Sequence, residues 1–497
     1  MPDSGLLDID LAYGRQGLRV SLPADRTTVV TPAHQPAARD VPAALREALR
    51  HPVAGPPLRA VVRPGQRVAV SVCDVTRPQP REAMLRALLD ELDAIVTPGD
   101  LTVLIATGTH RGNTPAELGE MLGAELAARL RVINHDARDE SMLTWCGVHG
   151  DGVPVWLNRH WADADVKITT GFVEPHFFAG FSGGPKLVAP GLAGLETTLT
   201  LHDARRIGSD QATWAVCEGN PVHDDVRAIA AATRVDFAFD VVLNREQEVV
   251  AAFGGEVLAM HAAARAFVRE VAMRPVDGRF EVVVTTNSGF PLDQNLYQAV
   301  KGMSAAATVA VPGGLIICAA ECADGWPDYG SFREELAAQP SPEQLLAAIA
   351  ARPRTVPDQW QVQVLARVLR QARVGMHTSG VADADLRSAH LFAVPDIAAA
   401  VTAELAAAGP RARVCVLPEG PQTIPFVAAP IPAPAPRRPA SLLYAVLPAM
   451  LQRLLGPPCA QHHPQPTLTV RIPHHKQAWF DGPWHCGQRT WSGWFWF

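Results

Sequence analysis

Arg67-Val-Ala-Val-Ser-Val72, followed at once by Cys73-Asp74-Val75-Thr76-Arg77-Pro78, is the segment from which the fold can be read. Valines alternating with small residues make a strand, and a polar turn closed by proline ends it. Residues 81–95 carry helical periodicity, and Leu101-Thr-Val-Leu-Ile-Ala106 is a second strand, giving a strand–helix–strand unit. The second strand also runs into a polar turn, Thr107-Gly-Thr-His110-Arg-Gly-Asn113, followed by a helix over 114–130 with Thr114 as N-cap. A third strand over 165–170 leads into a longer turn, and 196–206 is helical. Ligands of parallel α/β sheets collect at the carboxyl ends of the strands. Three such ends would present Asp74 and Arg77, His110, and His176 with Lys186 to one crevice.

The third turn reads Glu174-Pro-His176-Phe-Phe-Ala-Gly-Phe-Ser-Gly-Gly-Pro-Lys186-Leu-Val-Ala-Pro-Gly191. Its glycines let a ligand approach the backbone, and its prolines fix the turn. His110 and His176 follow strands among small residues, where imidazoles either move protons near neutral pH or merely cap backbone groups. Lys186 differs from a Walker lysine, because Pro185 removes the preceding backbone donor and Leu187 follows it. Its amine could anchor a ligand, attack one, or clamp a phosphate. His202, in Thr-Leu-Thr-Leu-His-Asp203, is a candidate ligand for nickel, copper or zinc, but no H-E-x-x-H or C-x-x-C accompanies it. His223 and His261 lie in helical sequence and are read as structural. Gln298 and Lys301 share a helix face at i, i+3, where the lysine either pairs with an anion or faces solvent.

After residue 276 the pattern restarts. A strand over 280–285 ends at Asn287-Ser-Gly-Phe-Pro291, a helix spans 293–302, and strands over 308–311 and 315–319 bracket a Pro-Gly-Gly turn. Covering helices are expected near 341–352 and 396–408, and a late strand over 413–417. The fold class is therefore α/β: two α/β domains with mainly parallel sheets and a site in the crevice between them. The larger is expected over 1–275, completed by about 395–425, and the smaller over 276–394. Beyond 425 the composition turns to Pro-Ala repeats, and five of the eleven tryptophans fall in the last nineteen residues. Residues 426–497 are expected to be a disordered or aberrant tail.

A net charge of -6 with scattered Lys and Arg offers no stripe for a phosphate backbone, so nucleic acid is not an expected partner. Eight cysteines without paired spacing read as reduced thiols. No targeting segment and no 18-residue apolar run is seen, so a cytoplasmic protein with no membrane partner is expected.

Taken together, Asp74-Val-Thr-Arg77-Pro, Thr107-Gly-Thr-His110, the 174–191 turn with Lys186, Leu201-His202-Asp203, and Pro291-Leu-Asp-Gln-Asn-Leu-Tyr-Gln298-Ala-Val-Lys301-Gly resemble the nickel-pincer lactate racemase family. The Glu321-Cys-Ala-Asp-Gly325 and Asp358-Gln-Trp360 segments are also similar to it, and the resemblance covers about residues 5–425. It implies nickel in a pyridinium-3,5-bisthiocarboxylate mononucleotide, joined covalently through a thioamide to Lys186, with His202 as the protein's metal ligand. Asp74, Val75, Thr76 and Arg77 match cofactor contacts, and Gln298 and Lys301 match substrate contacts. His110 and His176 would be the catalytic acid–base pair, one for each enantiomer of a 2-hydroxy acid racemised by reversible hydride transfer through a 2-keto acid. Separate maturation enzymes would be partners. The competing reading is a nucleotide- or phosphate-binding or cofactor-carrier protein without racemase activity; a zinc hydrolase is a third.

Overall fold

The computed structural model describes residues 5–327 and 330–428, and strands are numbered along the chain. The first sheet has six strands: β4 (Val68–Cys73), β5 (Leu101–Ala106), β6 (Arg131–Asn134), β9 (Val166–Phe172), β12 (Phe237–Leu243) and β13 (Val249–Gly255). Their order is β13-β12-β9-β4-β5-β6, with only β13 antiparallel. Every residue of β4 is buried, as a central parallel strand covered on both faces requires. Each fully buried valine or leucine there contributes about 1.5–3 kcal/mol. Helix α1 (Arg81–Glu91), shorter than the expected 81–95, sets Met84, Leu85 and Leu88 against this sheet.

Register fixes what the strand ends deliver. Cys73 pairs with Ala106 and Ser71 with Thr169, so the turns after β4, β5 and β9 emerge side by side. The expected helix over 114–130 is two helices, α2 (Pro115–Leu122) and α3 (Ala124–Arg129). Gly123 divides them at φ +80°, where a Cβ would meet the Glu82 carboxylate at 2.5 Å. Thr114 is the N-cap, in a capping box with Glu117. The 196–206 helix is likewise broken into α4 (Leu195–Leu201) and α5 (Ala204–Gly208), because Asp203 turns out of α4 to cap α5 through the Arg206 amide at 2.7 Å. Helices α6 (Pro221–Thr233) and α7 (Val257–Ala272) lie beyond.

Between β6 and β9 comes a hairpin of β7 (Leu143–His149) and β8 (Val153–Asn158), and after β9 a two-residue pairing of β10 (Pro175–His176) with β11 (Gly180–Phe181) closes the glycine turn. The second sheet joins β3 (Thr27–Val29), β15 (Phe280–Thr286), β16 (Ala310–Ala319), β17 (Arg373–His377), β18 (Phe392–Ala393) and β19 (Val414–Leu417) in the parallel order β18-β17-β16-β15-β19-β3. Residues 308–319 form one strand, not two around a turn. Pro312-Gly313-Gly314 is absorbed as a register shift at its open end, where pairing jumps from Ala310 to Leu315.

Residues 395–417 build the second sheet and do not complete the first. β19 hydrogen-bonds to β15, and helix α10 (Ile397–Ala408) sets Ile397, Val401 and Leu405 against Val282, Val284 and Ile317. The chain's opening hairpin, β1 (Leu6–Leu11) with β2 (Leu18–Pro23), shares that core through Ile9, Leu11, Val20 and Leu22. The apolar faces of these segments match the Val/Ile face of the second sheet, a pairing that local periodicity does not specify. A parallel ribbon of β14 (Met273–Val276) and β20 (Ile424–Val427) returns the chain beside the start of β15. All these elements belong to one compact unit. The second layer contributes α8 (Leu296–Ala307) and α9 (Gln359–Gln371). The expected tail after 428 lies outside the described residues.

Candidate functional site

Asp74 ends β4 buried at 3% exposure, and its Oδ2 lies 2.7 Å from Nδ1 of His110 at the end of β5. Thr76 Oγ1 donates to Asp74 Oδ1 at 2.6 Å, and Arg77 donates to Thr76 Oγ1 at 3.1 Å. Burial raises the Asp74 carboxyl, but the His110 hydrogen bond, Arg77 and Thr76 outweigh it and hold the group below its ordinary value. An ionised Asp74 therefore takes the Nδ1 proton of His110 and leaves Nε2 as the basic atom. Val75 is 36% exposed and adds no polar side-chain group. Arg81 is buried and donates to the carbonyls of Cys73, Asp74 and Arg77, tying the turn to α1.

His176 is committed in the opposite sense. Its Nδ1 accepts the amides of Phe178 at 3.4 Å and Ala179 at 3.2 Å, so the neutral ring carries its proton on Nε2. Burial, with Lys186, Lys301 and Arg77 adding to it, pushes His176 well below its ordinary value, which keeps it neutral. Lys186 sits in a short 3-10 turn with its ammonium 5.9 Å from the Phe178 ring centre. Burial, and then Arg77, lower Lys186 to about 7 against the opposing pull of Glu174. An amine in that range is substantially uncharged at neutral pH and nucleophilic.

His202 is the break between α4 and α5. Its Nδ1 is 2.7 Å from the Thr198 carbonyl, which fixes the tautomer and turns Nε2 into a free lone pair. Burial lowers it to about 4, so it remains neutral. Phe178 meets the ring edge-on at 5.3 Å, and Trp360 from α9 packs on it at 4.8 Å. The second layer also brings Lys301, whose Nζ donates to Gln298 Oε1 at 2.7 Å on α8. Gly302 makes this possible, since a Cβ there would meet the Thr286 carbonyl at 2.0 Å; the helix lies almost on the sheet. Burial, then Arg77, lower Lys301 to about 8.

Arg77, Lys186 and Lys301 thus act on one another and on Glu174 and His176. Glu174 keeps an exposed edge yet is crowded enough by protein that its carboxyl is raised, against the pull of Lys301, Arg77 and Lys186. The crevice is a cationic cup with one carboxylate and two neutral imidazoles, suited to an anionic substrate. Among the described residues no cluster of three His, Cys, Asp or Glu could hold a metal by itself, so any ion at His202 draws its other ligands from a bound group.

Sequence reading missed three supports. Asp240, wholly buried on β12, accepts the Gly184 amide and anchors the glycine turn; its burial raises the carboxyl to about 7. An aspartate inside the apolar run Phe237-Ala-Phe-Asp-Val-Val was the available signal. Gln79 joins β4 to β9 by accepting the Cys73 amide at 2.8 Å and donating to Thr170 at 2.9 Å. His223 and His261, read as structural, are buried and stacked at 5.5 Å behind Gly184. The six described cysteines are free thiols, and no described helix is long and apolar enough to cross a membrane.

Residues 13–215 match the family model for the lactate racemase N-terminal domain, and residues 277–424 match that for the lactate racemase C-terminal domain. The chain is 32% identical over 426 residues to a lactate racemase of Thermoanaerobacterium thermosaccharolyticum, covering 84% of this chain and 98% of the relative. It is 33% identical over 379 residues to a lactate racemase of Lactiplantibacillus plantarum, covering 76% and 89%. The structure of the lactate racemase apoprotein from T. thermosaccharolyticum superposes with a TM-score of 0.79 at 31% identity, covering 84% of this chain and all of that one. A crystal structure of a Thermotoga maritima protein at 17% identity, TM-score 0.55, covering 78% of this chain and 97% of that one, shares the fold.

Proposed function

The chain belongs to the lactate racemase family, and on that premise we propose that it interconverts the two enantiomers of a small 2-hydroxy acid, lactate or a close analogue, using a nickel-pincer nucleotide carried on Lys186. The observation that carries the reading is the opposed commitment of the two histidines: His110 Nδ1 donates to Asp74, whereas His176 Nδ1 accepts two amides. One imidazole is set to take a proton at Nε2 and the other to give one. Racemisation needs that pair.

The residues fit the cofactor. Lys186 is lowered to about 7, as an amine that must form a thioamide should be. His202 offers Nε2 alone, which suits a metal whose remaining ligands come from the bound group. Asp74, Thr76 and Arg77 supply donors and acceptors for the nucleotide's polar end. When bound, the group supplies a hydride acceptor and donor, which avoids a carbanion beside an ionised carboxylate.

The chain's own residues supply the rest. Lys301, held by Gln298, and Arg77 receive the substrate carboxylate and orient its α-carbon. His110 removes the hydroxyl proton of one enantiomer at Nε2, and Asp74 stabilises the imidazolium that forms. His176 returns a proton from Nε2 to the oxygen when the opposite face is rebuilt, and the roles reverse for the other enantiomer. The aromatic wall of Phe177, Phe178 and Trp360 limits water.

The test is mass spectrometry of the Lys186 peptide, from protein co-produced with pincer-maturation enzymes and nickel, beside Lys186→Ala. A wild-type-only adduct containing sulfur and phosphate, with racemisation of L- and D-lactate or another 2-hydroxy acid, is the expected result. An unmodified lysine, under conditions that modify a known family member, overturns the reading in favour of a binding or carrier protein.

A further inference from the structure

One face of α9 closes on the segment that carries His202. Trp360 packs on the His202 ring at 4.8 Å. One turn on, Gln363 Nε2 donates to the Ala204 carbonyl at 2.8 Å. A further turn on, Arg367 donates through Nη1 to the Ile207 carbonyl at 2.7 Å and to Ser209 at 3.2 Å, and through Nη2 to Asp210 at 3.2 Å. The spacing 360, 363, 367 is one helical stripe, so a single rigid element touches the ring, the first residue of α5 and its last carbonyls. The fit is close: a Cβ on Gly208 would stand 3.0 Å from Gln363 Nε2. Trp360 is itself fixed from α8, where the Tyr297 hydroxyl accepts its indole N–H at 3.2 Å.

The first layer grips the same short helix from the other side. Arg206 is 2% exposed and pairs with Asp225 at 2.6 Å and with Asp203, while donating to the Thr200 carbonyl at 3.2 Å and the Asp151 carbonyl at 2.7 Å. That arrangement sets the elbow at His202-Asp203. It leaves the carbonyls at the far end of α5 to Arg367. A five-residue helix has too few internal hydrogen bonds to hold itself, so its placement, and with it the direction of His202 Nε2, depends on α9.

Resting on the reading above, we propose that the Trp360–Gln363–Arg367 stripe of α9 is a positioning clamp for the metal ligand, with Arg367 its outermost member. Arg367 touches neither substrate nor cofactor. It acts through α5. Outer partners that orient a ligating histidine typically change metal affinity 10- to 100-fold when lost.

The experiment compares wild type, Arg367→Ala, Arg367→Lys and Arg352→Ala. Arg352 pairs with Glu335 and Gln359 inside the second layer, so its loss loosens the same layer without touching α5. On matured protein, nickel release to a chelator is timed while the Lys186 adduct is followed by intact mass. The expected result is release roughly 10-fold or more faster in Arg367→Ala, partly restored in Arg367→Lys, unchanged in Arg352→Ala, with the adduct present in all. On unmatured protein, amide exchange over 202–209 should rise at least about 10-fold in Arg367→Ala alone, with 68–73 unchanged. Equal nickel release and equal exchange in Arg367→Ala and wild type overturn the clamp, as does an equal acceleration in Arg352→Ala. If wild type carries no adduct, the proposed function fails, and the exchange of 202–209 still decides whether α9 holds the segment.

Discussion

The two layers contribute to the crevice by different means. The first delivers Asp74, His110, His176 and Lys186 from turns at the ends of adjacent strands, each backed by a buried support: Arg81 for the 74–77 turn, Asp240 for the glycine turn. The second delivers Gln298, Lys301 and Trp360 from the faces of helices, backed by side-chain pairs such as Lys301–Gln298 and Trp360–Tyr297. Strand register holds the first group to fixed neighbours, whereas the second group moves wherever α8 and α9 move. Reactive atoms are therefore concentrated where the backbone is most constrained, and the substrate's charged end meets the part that can adjust. Reaction chemistry should be lost by changes in the first layer, and affinity by changes in the second.

The largest effect that follows is at Lys186. Lys186→Ala should abolish both the adduct and turnover, and detectable racemisation by that variant would break the division at its root. Next come the histidines. His110→Asn and His176→Asn should each lower kcat about 10²- to 10⁴-fold while leaving the adduct intact, measured by polarimetry from each pure enantiomer. Asp74→Asn should fall inside that range, because the amide cannot hold the His110 tautomer as the carboxylate does.

The second layer should respond differently. Lys301→Met removes a charge-assisted contact worth about 1.5–3 kcal/mol, so kcat/KM should drop roughly 10- to 100-fold, carried mainly by KM. A fall in kcat alone, with KM unchanged, would place Lys301 in the reacting machinery and erase the contrast between the layers.

That contrast also explains what could be read from sequence. The strand-end turns are contiguous and carry their own punctuation, so Asp74, His110, His176 and Lys186 stand out in the bare order of residues. Trp360 and Arg367 are members of an ordinary helical stripe, and nothing local says that it faces α5. Residues 395–417 misled for the same reason: Val414–Leu417 is a good strand for either sheet, and only the packing of α10 on Val282 and Val284 assigns it. Pro312-Gly-Gly314 looked like a turn because sequence does not reveal that pairing has a free end there. The α4–α5 break was available in principle, since Asp203 is a standard N-cap residue, but continuous helical periodicity masked it.

The smallest expected effect concerns stability, and it tests whether the cationic cup is costly before the cofactor arrives. Lys186 has an ordinary value of 10.5 and about 7 in the folded chain, with burial the first cause. Between those values the unfolded chain binds a proton there that the folded chain does not, so this group's stability contribution rises with pH across that interval. Lys301, lowered from 10.5 to about 8, acts in the same direction. Lys186→Met keeps the stem and removes the titrating group. In unmatured protein it should raise Tm by roughly 2 °C near pH 7, with the gain shrinking toward pH 10, where the unfolded chain also begins to lose its proton. The same substitution in the second layer, Lys301→Met, should give a gain that is smaller at pH 7, because the shift to be relieved is smaller. An equal or larger gain at Lys301, read from parallel melts over pH 7 to 10, would move the principal electrostatic strain out of the strand-end turns and into α8.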